Sequence, residues 1–447
     1  MGEKYPLAGN VNPEVLDREV DLLNSIQQKP LLMRLPIYLK LGGPGFIGAA
    51  LTLGAGTMTA SMLAGSQFGF KTLWIYGIAI GAALFMMMAM ARFTCRQGES
   101  LIQLQNKHHG WFMSRVLTAF VGMVLVAIVF NFAQYALGTH LIETLTDKMG
   151  YKISQDKNWI IYCVITSWLA LSYGRGGGRG TRFVEGFMKI SLGLMIICFA
   201  AVVVVVGIDW SAAFKGLTTP WLPSGIAGID LFIASTAAAV GVMDWMMFHY
   251  TGLAKGWSGK HEKLARTDLI VGFAIPFLVI NFLIIAAFAG TVYGTGKLPE
   301  TASELAQALI PLLGETGAEF AFLIGFLAVP ITTTVGMSLA CAVAVHEAMG
   351  WKADVTSWRW KIAVLLPQIG LVAAWLPSPV LLIIVVAAFL TLSNNIVGWS
   401  FYLMFNDKKI FKENRIKSYF WNMGILTQVT LLNVVAIIYV FNRLNWW

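Results

Sequence analysis

The 447-residue chain is 57% hydrophobic and only 12% charged, with a mean hydropathy of +0.69. A soluble domain carries roughly 25% charged residues, so an ordinary soluble enzyme, a disordered chain and a nucleic-acid binder are excluded. Lys+Arg number 32 against 23 Asp+Glu, a formal charge of +9, and the placement of those cations decides their meaning.

The first 43 residues carry no long apolar run, and no cleavable signal peptide is expected. Asn12-Pro13-Glu14 has the form of a capped helix start. Val15, Leu16, Val20, Leu23 and Ile26 then form an apolar stripe, suited to packing under a membrane domain.

A helix needs about 20 apolar residues to cross the hydrocarbon. The runs at 44–67, 72–94, 112–138, 158–173, 187–207, 229–252, 268–292, 317–344, 361–376, 380–403 and 418–442 predict eleven spans. They are continuous rather than alternating, which excludes a β-barrel. With a cytoplasmic N-terminus, 25 of the 32 basic residues fall inside. Lys71, Lys148, Lys152, Lys157, Lys215, Lys297 and Arg443 are the ones outside. This asymmetry predicts an integral protein of the inner or plasma membrane with its N-terminus in the cytoplasm. Gly174 to Gly180 lacks the Lys-Ser/Thr ending of a phosphate loop and reads as an inner loop. His108 and His109 read as solvated. Cys95, Cys163, Cys198 and Cys341 lack metal-ligand spacing. No hydrolytic or redox constellation and no cofactor fingerprint appear, so neither an enzyme nor a cofactor is expected.

Two runs interrupt their spans. Gly54-Ala55-Gly56-Thr57 lies in the first and Gly241-Val242-Met243-Asp244 in the sixth. Glycines weaken a helix, and unwound backbone at membrane depth survives only where it lines protein or a wet cavity. Spans one and six correspond in two halves of five helices. Matched interruptions point to a midplane substrate site in an inverted-repeat transporter. The bland alternative is close helix packing at glycine. Asp244 is the one carboxylate placed in mid-span, costly there unless paired or hydrated. A pairing with His249 is the structural alternative.

Gly43-Pro44-Gly45-Phe46 with Ala64-Gly65-Ser66-Gln67-Phe68-Gly69-Phe70, the run Phe326 to Gly350, and Leu376-Pro377-Ser378-Pro379 resemble the Nramp family of proton-coupled divalent-metal transporters. The resemblance implies a LeuT-type inverted repeat, 5+5 helices, plus one C-terminal span. The repeats would cover 44–207 and 229–403, after a cytoplasmic segment 1–43 and before an eleventh helix at 418–442. The family's Asp-Pro-Gly-Asn reads Gly54-Ala55-Gly56-Thr57 here, and its Met-Pro-His reads Val242-Met243-Asp244. Its third-span acids fall at Asn131 and Gln134, and its tenth-span glutamine near Val385. Amides do not exchange protons near neutral pH, so the family's proton coupling is expected to be absent.

Asp244, the Thr57 hydroxyl, Ser61 and carbonyls freed around Gly54 and Gly241 are hard oxygen donors, suited to Mg²⁺ or Ca²⁺ more than to a soft metal. Asp244 and Thr57 would be the metal ligands. The substrate-binding set is Gly54, Ala55, Gly56, Thr57, Ser61, Gly241, Val242, Met243 and Asp244. Asn131, Gln134, His249, Thr333 and Asn394 are candidates for the pathway. A second reading uses the half-helix amides to hold a carboxylate and Asp244 to face an ammonium, as for an amino acid or amine. A third is a non-transporting receptor or scaffold. The expected partners are a small solute or metal ion and the bilayer.

Overall fold

The computed structural model describes residues 12–175, 179–224, 228, 231–232, 235–236, 241–295, 316–375 and 394–443. Within these no strand occurs, and the helices run α1 Pro13–Ile26, α2 Leu31–Leu41, α3 Pro44–Thr52, α4 Ala55–Phe68, α5 Leu73–Arg96 and α6 Leu101–Trp111. A π-helical stretch, Phe112–Leu125, leads into α7 Val126–Lys148. Then come α8 Gln155–Ser172, α9 Arg179–Val206, α10 Trp210–Thr218, α11 Val242–Ala254 and α12 Glu262–Asp268. The chain continues through α13 Ile275–Thr291, α14 Thr316–Met349, α15 Trp358–Leu365 and α16 Tyr419–Arg443, with a further helical stretch at 394–406.

Five helical stretches among the described residues are long and apolar enough to cross a membrane: Ala55–Arg96, Leu101–Lys148, Arg179–Val206, Gly259–Thr291 and Leu323–Met349. α3 and α11, with 9 and 13 residues, are too short to cross alone. Most of the predicted stretches 229–240 and 380–393, with Leu376-Pro377-Ser378-Pro379 and Val385, lie outside the described residues.

α1 starts as its sequence demands. Asn12 Oδ1 accepts from the Glu14 amide at 3.0 Å, and Pro13 takes the first turn. Val20, Leu23 and Ile26 are buried, whereas Val15 is exposed, so the stripe is shorter than predicted. α2, before the first span, and α6, between the second and third, are additional helices. α6 is capped by Ser100, which accepts from the Gln103 amide, and Gly110 at φ 84° turns the chain into the π-helical stretch. His109 is not simply solvated: its Nδ1 lies 2.7 Å from Ser400 Oγ.

The foot of the first span is clamped by charge. Asp268 accepts from the amides of Gly43 (3.1 Å) and Gly45 (2.6 Å), capping α3 from across the fold. Lys189 donates to the carbonyls of Leu39 and Gly42 at 2.9 and 2.7 Å, closing the end of α2. Beside them Lys255 pairs with Glu185 at 3.0 Å. Helix ends that face protein rather than water need such partners. Asp268→Ala leaves two buried amides without an acceptor, at a cost of about 1–3 kcal/mol each. In mixed micelles its unfolding midpoint should fall clearly below that of the parent, with Asp268→Asn in between. An alanine variant as stable as the parent would discount the clamp.

Candidate functional site

The first span is broken. α3 ends at Thr52, Leu53 and Gly54 leave helical geometry (φ/ψ −83°/45° and −85°/−177°), and α4 restarts at Ala55. A Cβ at position 54 would stand 2.8 Å from both Gln134 Nε2 and Thr333 Cγ2, so only glycine admits these neighbours. α11 starts at Gly241, whose backbone is extended (φ −117°, ψ 150°). The four residues before Gly241 lie outside the described residues.

Side chains replace the missing helical hydrogen bonds. Thr57 donates its hydroxyl proton to the Thr52 carbonyl at 2.5 Å. Thr333, from α14, donates to the Ala50 carbonyl at 2.9 Å. The Ala55 amide donates to Gln134 Oε1, and the Val242 amide to Asn394 Oδ1, both at 3.0 Å. Gly54 and Gly241 keep their carbonyls in the helices that follow, bonded to the amides of Met58 and Trp245. The predicted set of free carbonyls and amides is therefore corrected. Four of these groups are held by side chains, and the two glycine carbonyls begin helices.

A cavity of about 60 Å³ joins the break in the first span to the start of α11. Gly54, Gly56, Thr57, Gly241, Val242, Met243 and Asp244 line it, with Gln134, Thr333 and Asn394. Span three adds Gly122, Val126 and Phe130, and α14 adds Met337. Among the described residues Asp244 is its one carboxylate, buried, with the amides of Gly241 and Asp244 itself facing its oxygens. Among the described residues no three His, Cys, Asp or Glu side chains converge as a metal cluster.

The remaining predicted residues lie off this cavity. Ala55 contributes only its amide, to Gln134. Ser61 points to the other face of α4, donating to Asn281 Oδ1 at 2.5 Å beside the Tyr76 hydroxyl. Asn131 is consumed between helices: Nδ2 donates to the Pro367 carbonyl and Oδ1 accepts from Thr334, each at 2.6 Å. His249 is not paired with Asp244. Its Nδ1 lies 2.9 Å from Thr94 Oγ1, and Phe93 and Tyr250 pack against its ring. Five positions along a helix turn the two side chains to different faces. Met337 and Gly122 escape sequence reasoning, since one more methionine or glycine in an apolar run carries no signal. Thr332 bonds back to Val329 in its own helix, while Thr333 reaches the break.

The architecture matches solved structures. An Eremococcus coleocola manganese transporter superposes with a TM-score of 0.69 over 90% of this chain and 86% of that one, at 15% identity. MhsT in complex with L-phenylalanine superposes at 0.58, covering 89% of this chain and 98% of that one, at 16% identity. These likenesses establish a LeuT-type fold. In sequence, the divalent metal cation transporter MntH of Granulibacter bethesdensis is 25% identical over 314 residues, 68% of this chain and 66% of that protein. MntH of Yersinia pestis is 24% identical over 359 residues, 78% of this chain and 82% of that protein. The family described as natural resistance-associated macrophage protein-like, Nramp, matches residues 45–440. With that match running from the foot of the first span to the last helix, the chain belongs to the Nramp-like family.

Proposed function

We propose that this chain is an eleven-span secondary transporter, its N-terminus in the cytoplasm, that moves a divalent cation by alternating access about the 60 Å³ cavity. One observation carries the choice of cation. Thr57 and Thr333 both line the cavity, and both have given their hydroxyl protons to backbone carbonyls. They therefore turn oxygen lone pairs, not protons, toward the space that Asp244 faces. A carboxylate with hydroxyl oxygens is a hard donor set. Asp244 and Thr57 would ligate the ion directly, and water would complete its shell. Mg²⁺ is favoured over soft transition metals, since the position matching the family's methionine is Val242. The relatives named above as manganese or divalent-metal transporters support the class of substrate.

The same geometry weighs against a zwitterion. Its carboxylate would need the leading amides of α4 and α11, and Gln134 and Asn394 already occupy one at each helix start, those of Ala55 and Val242. Among the described lining residues Asp244 is the one charged side chain, so none of them is a base that could meet a carboxylate. The scaffold reading has no comparable observation in its favour. Met243 and Met337 also line the wall, and this favours testing a softer ion beside Mg²⁺.

Proteoliposomes should accumulate Mg²⁺, and Asp244→Asn should cut uptake about tenfold or more, the equivalent of roughly 1.4 kcal/mol of lost binding. Unchanged uptake in that variant would remove Asp244 from the site. Cd²⁺ transported in strong preference to Mg²⁺, with the preference lost in Met243→Leu or Met337→Leu, would replace the hard-ion assignment by a thioether one.

Proton coupling by the third-span route is absent in this proposal. Asn131 and Gln134 carry no exchangeable charge and are held in hydrogen bonds. Cation uptake should leave the lumenal pH unchanged when followed with a trapped pH dye. Lumenal acidification in proportion to the cation taken up would overturn this.

A further inference from the structure

A second and larger cavity, about 530 Å³, lies at the far end of the first span from the clamp, where α4, α10 and α13 end or begin. We propose that it is a binding site for a small organic anion with an aromatic or apolar ring, distinct from the central cavity. Its size falls within the roughly 300–1,000 Å³ of small-molecule sites, which are largely apolar with a few placed polar groups. Phe68, Phe70, Trp221 and Tyr293 supply the apolar walls. The polar groups include two ammoniums, Lys71 and Lys215, and one carboxylate, Asp209.

The charges are unequal in availability. Asp209 Oδ1 is committed to the N-terminus of α10, accepting from the Ala212 amide at 2.9 Å. Neither lysine has a carboxylate within ion-pair distance among the described residues. Lys71 instead rests over the indole of Trp221, 5.1 Å from the ring centroid. The cavity therefore attracts an anion and repels the cation proposed for the central site.

Part of the wall is held independently of any occupant. The Trp221 carbonyl accepts from Trp74 Nε1 at 3.0 Å, and the Phe68 ring lies 5.7 Å from that of Trp221. Gly69, at φ 60°, ends α4 and leaves room for the Tyr293 ring, which would be 3.3 Å from a Cβ there. Aromatic faces and edges held in this way take a planar ring. A carboxylate or sulfonate on that ring would pair with Lys71 or Lys215.

Thiol modification tests this on the full-length protein in nanodiscs of zwitterionic lipid. Ala212→Cys, and separately Ala289→Cys, place a thiol in the wall. Of the native thiols, Cys95, Cys198 and Cys341 are buried and Cys163 is half-buried, so the parent protein supplies the background. Rates are compared for an anionic and a cationic methanethiosulfonate, each normalised to its rate with 2-mercaptoethanol. The anionic reagent should be favoured several-fold, and the preference should vanish in Lys71→Gln/Lys215→Gln. Benzoate should slow modification and benzylamine should not. Equal normalised rates at both positions, or no protection by benzoate, would overturn the proposal. Protection that requires anionic phospholipid and is indifferent to benzoate would overturn it in favour of a lipid headgroup.

Discussion

The architecture turns on one constraint: peptide groups at membrane depth must find partners within the protein. Opening the first span between Thr52 and Ala55 exposes carbonyls on one side and amides on the other. Thr57 closes part of the gap from within the same span. Gln134 and Thr333 close the rest from two other helices. The break is thus a junction where three spans meet, and each uses a neutral side chain. Asn394 performs the same service for α11 at the Val242 amide.

Satisfying the backbone this way sets the chemistry of the space that remains. Hydroxyls that give their protons to carbonyls keep lone pairs for a ligand. Amide side chains that accept from helix N-termini take up one amide at each end that could otherwise hold an anion. One carboxylate, Asp244, then dominates the field inside a small volume. The larger cavity has the opposite balance, because its acid caps a helix while, among the described residues, neither of its two lysines has an acid within ion-pair distance. Helix capping thus sets which charges remain available in both cavities.

Charge is handled differently at the foot of the first span. There Asp268, Glu185, Lys189 and Lys255 lie close together, and each is partnered. Buried ions are tolerated when paired and hydrogen-bonded, and removing one partner is costly. The short half-helix α3 is fixed at its base by these residues while its other end opens onto the cavity.

Composition and periodicity alone determined a helical membrane protein, because 57% hydrophobic residues in long runs admit no other solvent. The glycines at 54 and 241 and the isolated Asp244 were legible for the same kind of reason: each is locally expensive in a lipid-embedded helix. The family resemblance carried the fold, and the match over residues 45–440 agrees with it. What the linear order concealed were partners far apart in sequence. Nothing in the chain ties Gln134 to Ala55 or Asn394 to Val242, separated by 79 and 152 positions. Nor does it turn Ser61 and Asn131 away from the cavity or bring Met337 to its wall. Side-chain direction and hydrogen-bond partners follow from how helices cross, and crossing is a property of the packed structure.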